Sequence, residues 1–420
     1  MFIALRGGAD GTGNSADDAR DGSTVEGFDT VLRCYAEGCG APKTANLIVC
    51  LGPGTFQTMG AFDVSVGKRH LTPRGFTLGN GWKVHGQGVG VTILQLSAYL
   101  PSSDPANLQG LPPGTGSNVV LSTASTNASG VEISDLTIDA NYPALKAQAD
   151  SDGLFALNLE AIHLWSAQGH NWVHNVAVIN TAGEIGEIDE RFETFAVMIN
   201  SGTTTNPPSA SSGNIIENVV LSDFGGGACT AITLGDSVGE VRNNVVNGYQ
   251  IGYGGWSLGT SNFHDNVAQD TEYGFNVDSL VNDGVTIAAN TITAGKYGMV
   301  IGGGLEFRNL TISSNVIQVN NPGWFGILLQ GSVTNSIVSG NKIIAGPNAA
   351  GSTAILNFIN GGQGVANGNN VFQGNQIDSK LNVVFQAPSL RTLNCAFGNH
   401  DEKGNPRGDL PDTASVPCVP

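Results

Sequence analysis

The chain has 420 residues, length for two or three ordinary domains, although repeat folds break that expectation. Hydrophobic residues make up 40% and charged residues only 13%, against a usual ~25%, which excludes global disorder, a coiled coil and a helical solenoid. With 18 Lys+Arg against 35 Asp+Glu the net charge is −17, which opposes nucleic acid and anionic membrane surfaces, and no run approaches the ~18 apolar residues of a membrane span.

Residues 1–46 read as a cap region. The opening MFIALRGGADGTG shows no apolar signal-peptide core. Residues 27–37 place Phe28, Val31, Leu32 and Tyr35 at helical spacing, so a short amphipathic helix is expected to plug the first coil of a solenoid beginning near residue 47. An open end would expose unpaired strand edges. Cys34, Cys39 and Cys50 lie early, Cys395 and Cys418 late, and Cys229 between, with no zinc-ligand spacing. Terminal disulfides, Cys395–Cys418 and two of the first three, would suit a secreted, extracellular protein whose leader has been removed; buried reduced thiols are the alternative.

Residues 47–399 carry repeats. An Asn precedes short β-branched runs at Asn244, Asn266, Asn290, Asn315, Asn341 and Asn375, spaced by 22, 24, 25, 26 and 34 residues. Asn218 and Asn175 are expected in the same frame, with Asp135 at its start. A second series starts on a small residue and alternates: Ala231-Ile, Gly274-Phe, Gly298-Met, Gly326-Ile, Ala354-Ile. Such alternation marks strands with one buried face, and a period of roughly 24 residues holding two or three strands is one coil of a solenoid. The leucine-rich frame and the Gly-rich calcium nonapeptide are absent, which leaves a right-handed parallel β-helix of about ten coils. Stacked Asn amides would bond the next coil, and Asn tolerates the left-handed corners such coils need. Residues 400–420 are polar and Pro-rich, an expected irregular tail of this one β-helix domain.

The segment ADGTGNSADDARDGSTVEGFDTVLR resembles the opening of pectate-lyase-superfamily and phage-tailspike β-helices, where a Gly-Asp-Gly and Asp-Asp stretch precedes a capping helix. LIVCLGPGTFQT (Leu47 to Thr58) is similar to their strand and Pro-Gly-Thr-Tyr/Phe element, and RGFTLGNGWKVHGQGVGVTILQL (Arg74 to Leu96) to their next coil. The resemblance implies the fold and a polysaccharide or oligosaccharide partner. It names no reaction, because the superfamily's pectate-lyase, polygalacturonase and alginate-epimerase motifs are not matched.

Three insertions, 140–159, 182–194 and 202–212, are expected to form long loops walling a groove over one sheet. The alternation sends Ile162, Val197, Ile232, Phe275 and Met299 inward. It sends His163 and Trp165, Met198 and Asn200, and Asn276 and Asp278 outward, with Trp256 on the coil between. His163, Trp165, Trp256, Asn200, Asn276 and Asp278 are then expected to line one surface, where indoles stack on sugar C–H faces. The acidic loop holds Glu184, Glu187, Asp189, Glu190 and Glu193 around Arg191, and Asp139, Glu160, Asp236 and Asp278 are further carboxylates. Glycosidic hydrolysis needs two carboxyl groups, one protonated and one ionised, which makes Glu187, Asp189, Glu190 and Asp278 its candidates and His163 a candidate acid/base. That reading requires no cofactor. A Ca2+-assisted lyase using Lys146 or Arg191 as base is the second reading, with an irregular Ca2+ site. A non-catalytic carbohydrate-binding or tailspike-like structural β-helix is the third. The chain is expected to be a monomer or a homotrimer, without membrane insertion.

Overall fold

The computed structural model describes residues 1–7, 11–37, 44–61, 75–103, 111–123, 128–166, 168–188, 193–201, 211–278, 281–302, 306–358, 368–385 and 394–410. The chain divides into two units, 1–203 with 210–233, and 204–209 with 234–420.

In the first unit, successive coils pair in parallel. Ile48–Leu51 lies beside Lys83–His85, then Glu132–Asp139, Trp172–Ile179 and Asn214–Leu221. A second column stacks Gly54–Thr58 on Thr92–Leu96, and a third runs from Thr115–Ser122 to Ala156–Trp165 and Thr194–Asn200. In the second unit the same logic stacks Phe263, Ile287, Ile312, Val338, Phe372 and Ala396 one above the other inside the coils. Parallel strands with one face inside the coils need this repeated apolar column. The architecture is a right-handed parallel β-helix.

The small residues that begin the second series have a steric cause. A Cβ on Gly298 would lie 2.4 Å from the Gly326 carbonyl oxygen, and one on Gly326 2.6 Å from that of Ala354. Backbone therefore meets backbone at these two positions, and Gly is needed there.

The asparagine ladder is present in the second unit. Asn244, Asn266, Asn290, Asn315, Asn341 and Asn375 each donate from Nδ2 to the Oδ1 of the next Asn at 2.9–3.0 Å, ending on Asn399. Upstream, the expected frame is corrected. The ladder pair is Asn171 and Asn214, joined at 2.9 Å, while Asn175, Asn218 and Asp135 occupy left-handed bends at φ 52°, 54° and 58°. Both corner types favour Asn, one for its amide and the other for its tolerance of positive φ, so the residue type alone did not separate them. In the second unit the left-handed residue directly precedes the ladder Asn, as at Asn243, Asp265, Ala289 and Ser314.

The N-terminal helix α1 spans Val25–Glu37, two residues earlier than its apolar spacing suggests, because Thr24 caps it by accepting the Gly27 N–H at 3.1 Å. It buries Phe28 against Phe56 and Phe76, with ring centroids 5.6 and 5.8 Å apart, and buries Leu32 beside them. The insertion 140–159 is corrected from a loop to a helix: α2 spans Tyr142–Ser151, after which Ala156 already starts a strand. Pro143 in its first turn and the Ala, Leu, Lys and Gln after it favour this. Part of the late tail packs irregularly, with Arg407 donating to the Leu381 carbonyl at 2.6 Å and Leu410 buried.

Cys34 and Cys395 are disulfide-bonded, which corrects the all-reduced alternative, whereas Cys50 and Cys229 are free thiols. Cys39 and Cys418 lie outside the described residues.

Candidate functional site

The strand Ala156–Trp165 is buried along almost its whole length. Ile162 and Leu164 pair in register with Val197 and Ile199 and point into the coil; His163 and Trp165 alternate to the other face, in register with Met198 and Asn200. That face is covered. His163 is 0% exposed, not a surface residue, and Asn200 is 7% exposed. The His163 ring stacks on Trp165 with centroids 5.2 Å apart and an 8° interplanar angle. Its Nδ1 lies 2.9 Å from Oε2 of Glu160, a carboxylate itself buried. Such a contact fixes the ring's tautomer and orientation.

A second carboxylate lies on the neighbouring strand, two residues before Phe195, whose N–H donates to Glu160 Oε1 at 3.5 Å. Glu193, at the head of Thr194–Asn200, accepts a hydrogen bond from the Thr230 hydroxyl at 3.0 Å and is exposed. The neighbouring thiol, Cys229, is fully buried, and its pKa is pushed well up, first by burial and then by the charges of Glu160 and Glu193. Two carboxyl groups, one buried and one exposed, therefore act electrostatically on the same thiol. The Thr194 hydroxyl beside Glu193 is buried and has no hydrogen-bond partner among the described residues.

The other acidic-loop residues divide differently. Glu184 is an anchor, accepting from the Tyr142 hydroxyl at 2.7 Å and from the Leu157 N–H at 2.9 Å. Burial, then this carboxylate, drive the Tyr142 pKa upward. Glu187 is exposed on the turn beyond it. Asp189, Glu190 and Arg191 lie outside the described residues, as does 202–210 of the third insertion. Lys146 is held in an ion pair with Asp150 on its own helix α2. Asp139 is a structural knot, accepting from Gln95 Nε2, the Asn141 N–H and Asn180 Nδ2, each at 2.8 Å.

In the second unit, Trp256 donates from its indole nitrogen to Asp236 at 3.1 Å. Burial raises the Asp236 pKa, opposed by its hydrogen bond from Trp256. Asn276 is half-buried and pairs with Gly254 and Val300; Asp278 is exposed, its N–H bonded to the Gly255 carbonyl at 2.9 Å. Among the described residues, no three or more His, Cys, Asp or Glu side chains are placed to hold a metal ion, and no helix is long and apolar enough to cross a membrane.

No protein-family model matches this chain, and no curated protein matches it in sequence. Solved structures do. The tailspike protein of E. coli bacteriophage HK620 in complex with a pentasaccharide matches with a TM-score of 0.52 and 12% identity, over 96% of this chain and 67% of that one. The chains share a fold. A variant of that tailspike bound to a hexasaccharide gives a TM-score of 0.51 at 12% identity, over 95% of this chain and 75% of that one. The A-module of a mannuronan C-5 epimerase from Azotobacter vinelandii gives 0.49 at 16% identity, over 92% and 97%. The fold shared with the tailspike is the right-handed parallel β-helix, as the coil period and the Asn repeats imply.

In the sequence, Glu160 and Glu193 are two carboxylates among many, and nothing sets Thr230 or Cys229 apart as site residues. One signal is present. Glu160 lies in a largely apolar strand three residues before His163, and an ionisable group buried in a strand needs a partner.

Proposed function

We propose that the protein is a secreted polysaccharide-active enzyme that hydrolyses a glycosidic bond with Glu160 and Glu193. The carrying observation is that the two carboxylates come from neighbouring strands: Glu160 accepts from the Phe195 N–H at 3.5 Å, and Glu193, two residues before Phe195, accepts from the Thr230 hydroxyl at 3.0 Å. In this reading Glu160, the buried carboxyl group, serves as the acid toward the departing sugar oxygen, and Glu193, the exposed one, as base or nucleophile. His163 holds Glu160 in place, and Trp165 extends the wall beside it. The tailspike of the same fold, crystallised with a penta- or hexasaccharide, supports a glycan as the ligand class. The disulfide-bonded Cys34 and Cys395 support an oxidising, extracellular location. A lyase has weaker support, since Lys146 is already paired with Asp150.

The test is a polysaccharide panel, with calcium or chelator, read for new reducing ends and for ultraviolet absorbance of an unsaturated uronate. Reducing ends without absorbance are expected. Glu160→Gln and Glu193→Gln should each lower kcat by ~100-fold or more, with circular dichroism unchanged. Absorbance in the wild type, or two variants active within a few-fold, would overturn the assignment.

A further inference from the structure

The outer face of the first unit holds a second polar group, on a different column of strands from Glu160. The register sets Lys83, Glu132 and Trp172 side by side on three successive coils, and His85, Ser134, His174 and Glu217 beside them two residues on. Trp172 is 38% exposed, on a surface row where a smaller polar side chain would satisfy the strand. Its indole is fixed from two directions. One face lies on the His174 ring with centroids 3.8 Å apart, and Nε1 donates to Glu217 at 2.9 Å. Glu132 is fixed as well, 2.7 Å from the Lys83 ammonium and 3.4 Å from His174 Nε2. Holding an exposed indole and its polar neighbours rigid removes the ordering cost that a ligand would otherwise meet.

We propose that this patch is a glycan-contact site, separate from the carboxylate pair, that takes an uncharged pyranose on Trp172. The sugar's C–H face packs on the free side of the indole. Its hydroxyls donate to the carboxylates of Glu132 and Glu217 and accept from Lys83 Nζ. Two carboxylates against one ammonium disfavour a uronate or a phosphorylated sugar. The site would hold a long chain to the surface while a different stretch is cut. The inference rests on the carbohydrate reading above but not on its hydrolytic step.

Isothermal titration with cellohexaose, maltohexaose, xylohexaose and N-acetylchitohexaose separates the two. Glu160→Gln protein is used to stop turnover, with and without Trp172→Ala or Trp172→Phe. At least one hexasaccharide should bind, with affinity at the surface site falling tenfold or more in Trp172→Ala and within about threefold in Trp172→Phe. Trp172→Ala in the otherwise wild-type protein should leave reducing-end release from a soluble oligosaccharide unchanged. Identical isotherms with and without Trp172, or no binding by any of the four, overturn the site. Trp172-dependent binding without turnover by the wild type leaves the site standing and removes the hydrolase. Turnover with Trp172-independent binding does the reverse.

Discussion

Asp29 shows how one side chain ties stability to pH. It is 1% exposed in α1, accepting from the Thr58 hydroxyl at 2.6 Å and the Met59 N–H at 2.7 Å. Burial outweighs these bonds and the Arg33 charge, and the pKa rises from 3.8 to about 6. The folded protein thus holds this proton more tightly than the unfolded chain. The stabilisation is complete below about pH 4 and is lost as pH rises through about 6, amounting to about 3 kcal/mol. Asp29→Asn should forfeit about 1 kcal/mol below about pH 4, because an amide cannot accept from both donors, and should flatten the fall between pH 4 and 7, so that the deficit closes or reverses at neutral pH. Denaturant midpoints measured across that range check it; parallel profiles for the two proteins would dismiss the linkage. The identity of Asp29 revealed nothing of this, since its place on the helix's buried side is set by Phe28 and Leu32 around it.

At the scale of the element, the ladder converts a residue preference into a load shared between coils. Asn290 uses every polar valence of its amide. It accepts from the Asn266 N–H and Nδ2 at 3.0 Å each, and donates to the Phe263 carbonyl at 3.0 Å and to Asn315 at 2.9 Å. Asn290→Ala leaves two buried donors of Asn266 without their acceptor, and should cost about 2–4 kcal/mol. Asn218→Gly, at an exposed left-handed bend, should shift stability by less than about 0.5 kcal/mol, since Gly adopts positive φ freely. Equal unfolding midpoints for these two variants would contradict the distinction drawn between the corners. Helix α1 was readable because its apolar positions recur at helical spacing. Helix α2 was not, because only Leu145 and Ala149 of its ten residues are buried and no such stripe runs along it.

For the whole molecule the charge balance is the dominant global property. A net charge of −17 keeps copies apart at neutral pH, and the isoelectric point of about 4.6 marks where that repulsion vanishes. Light scattering should therefore show association growing as pH approaches 4.6, in the same range where Asp29 favours folding; a dispersed protein at that pH would argue against charge as what keeps it soluble. The sequence by itself determined the solenoid. Coil period, alternation and the Asn repeat are local and recurrent, and each coil restates the same instruction, so a short window suffices to read it. Only the tertiary structure placed the candidate pair. Glu160 and Glu193 lie on successive coils, and the contact of Glu160 with the Phe195 N–H, two residues after Glu193, depends on the register of one coil against the next. That register is set by packing of Ile162 on Val197 and Leu164 on Ile199 inside the coil, and a slip of one residue would turn His163 inward. The burial of His163, which the alternation placed on an outer face, was likewise not legible from its own strand.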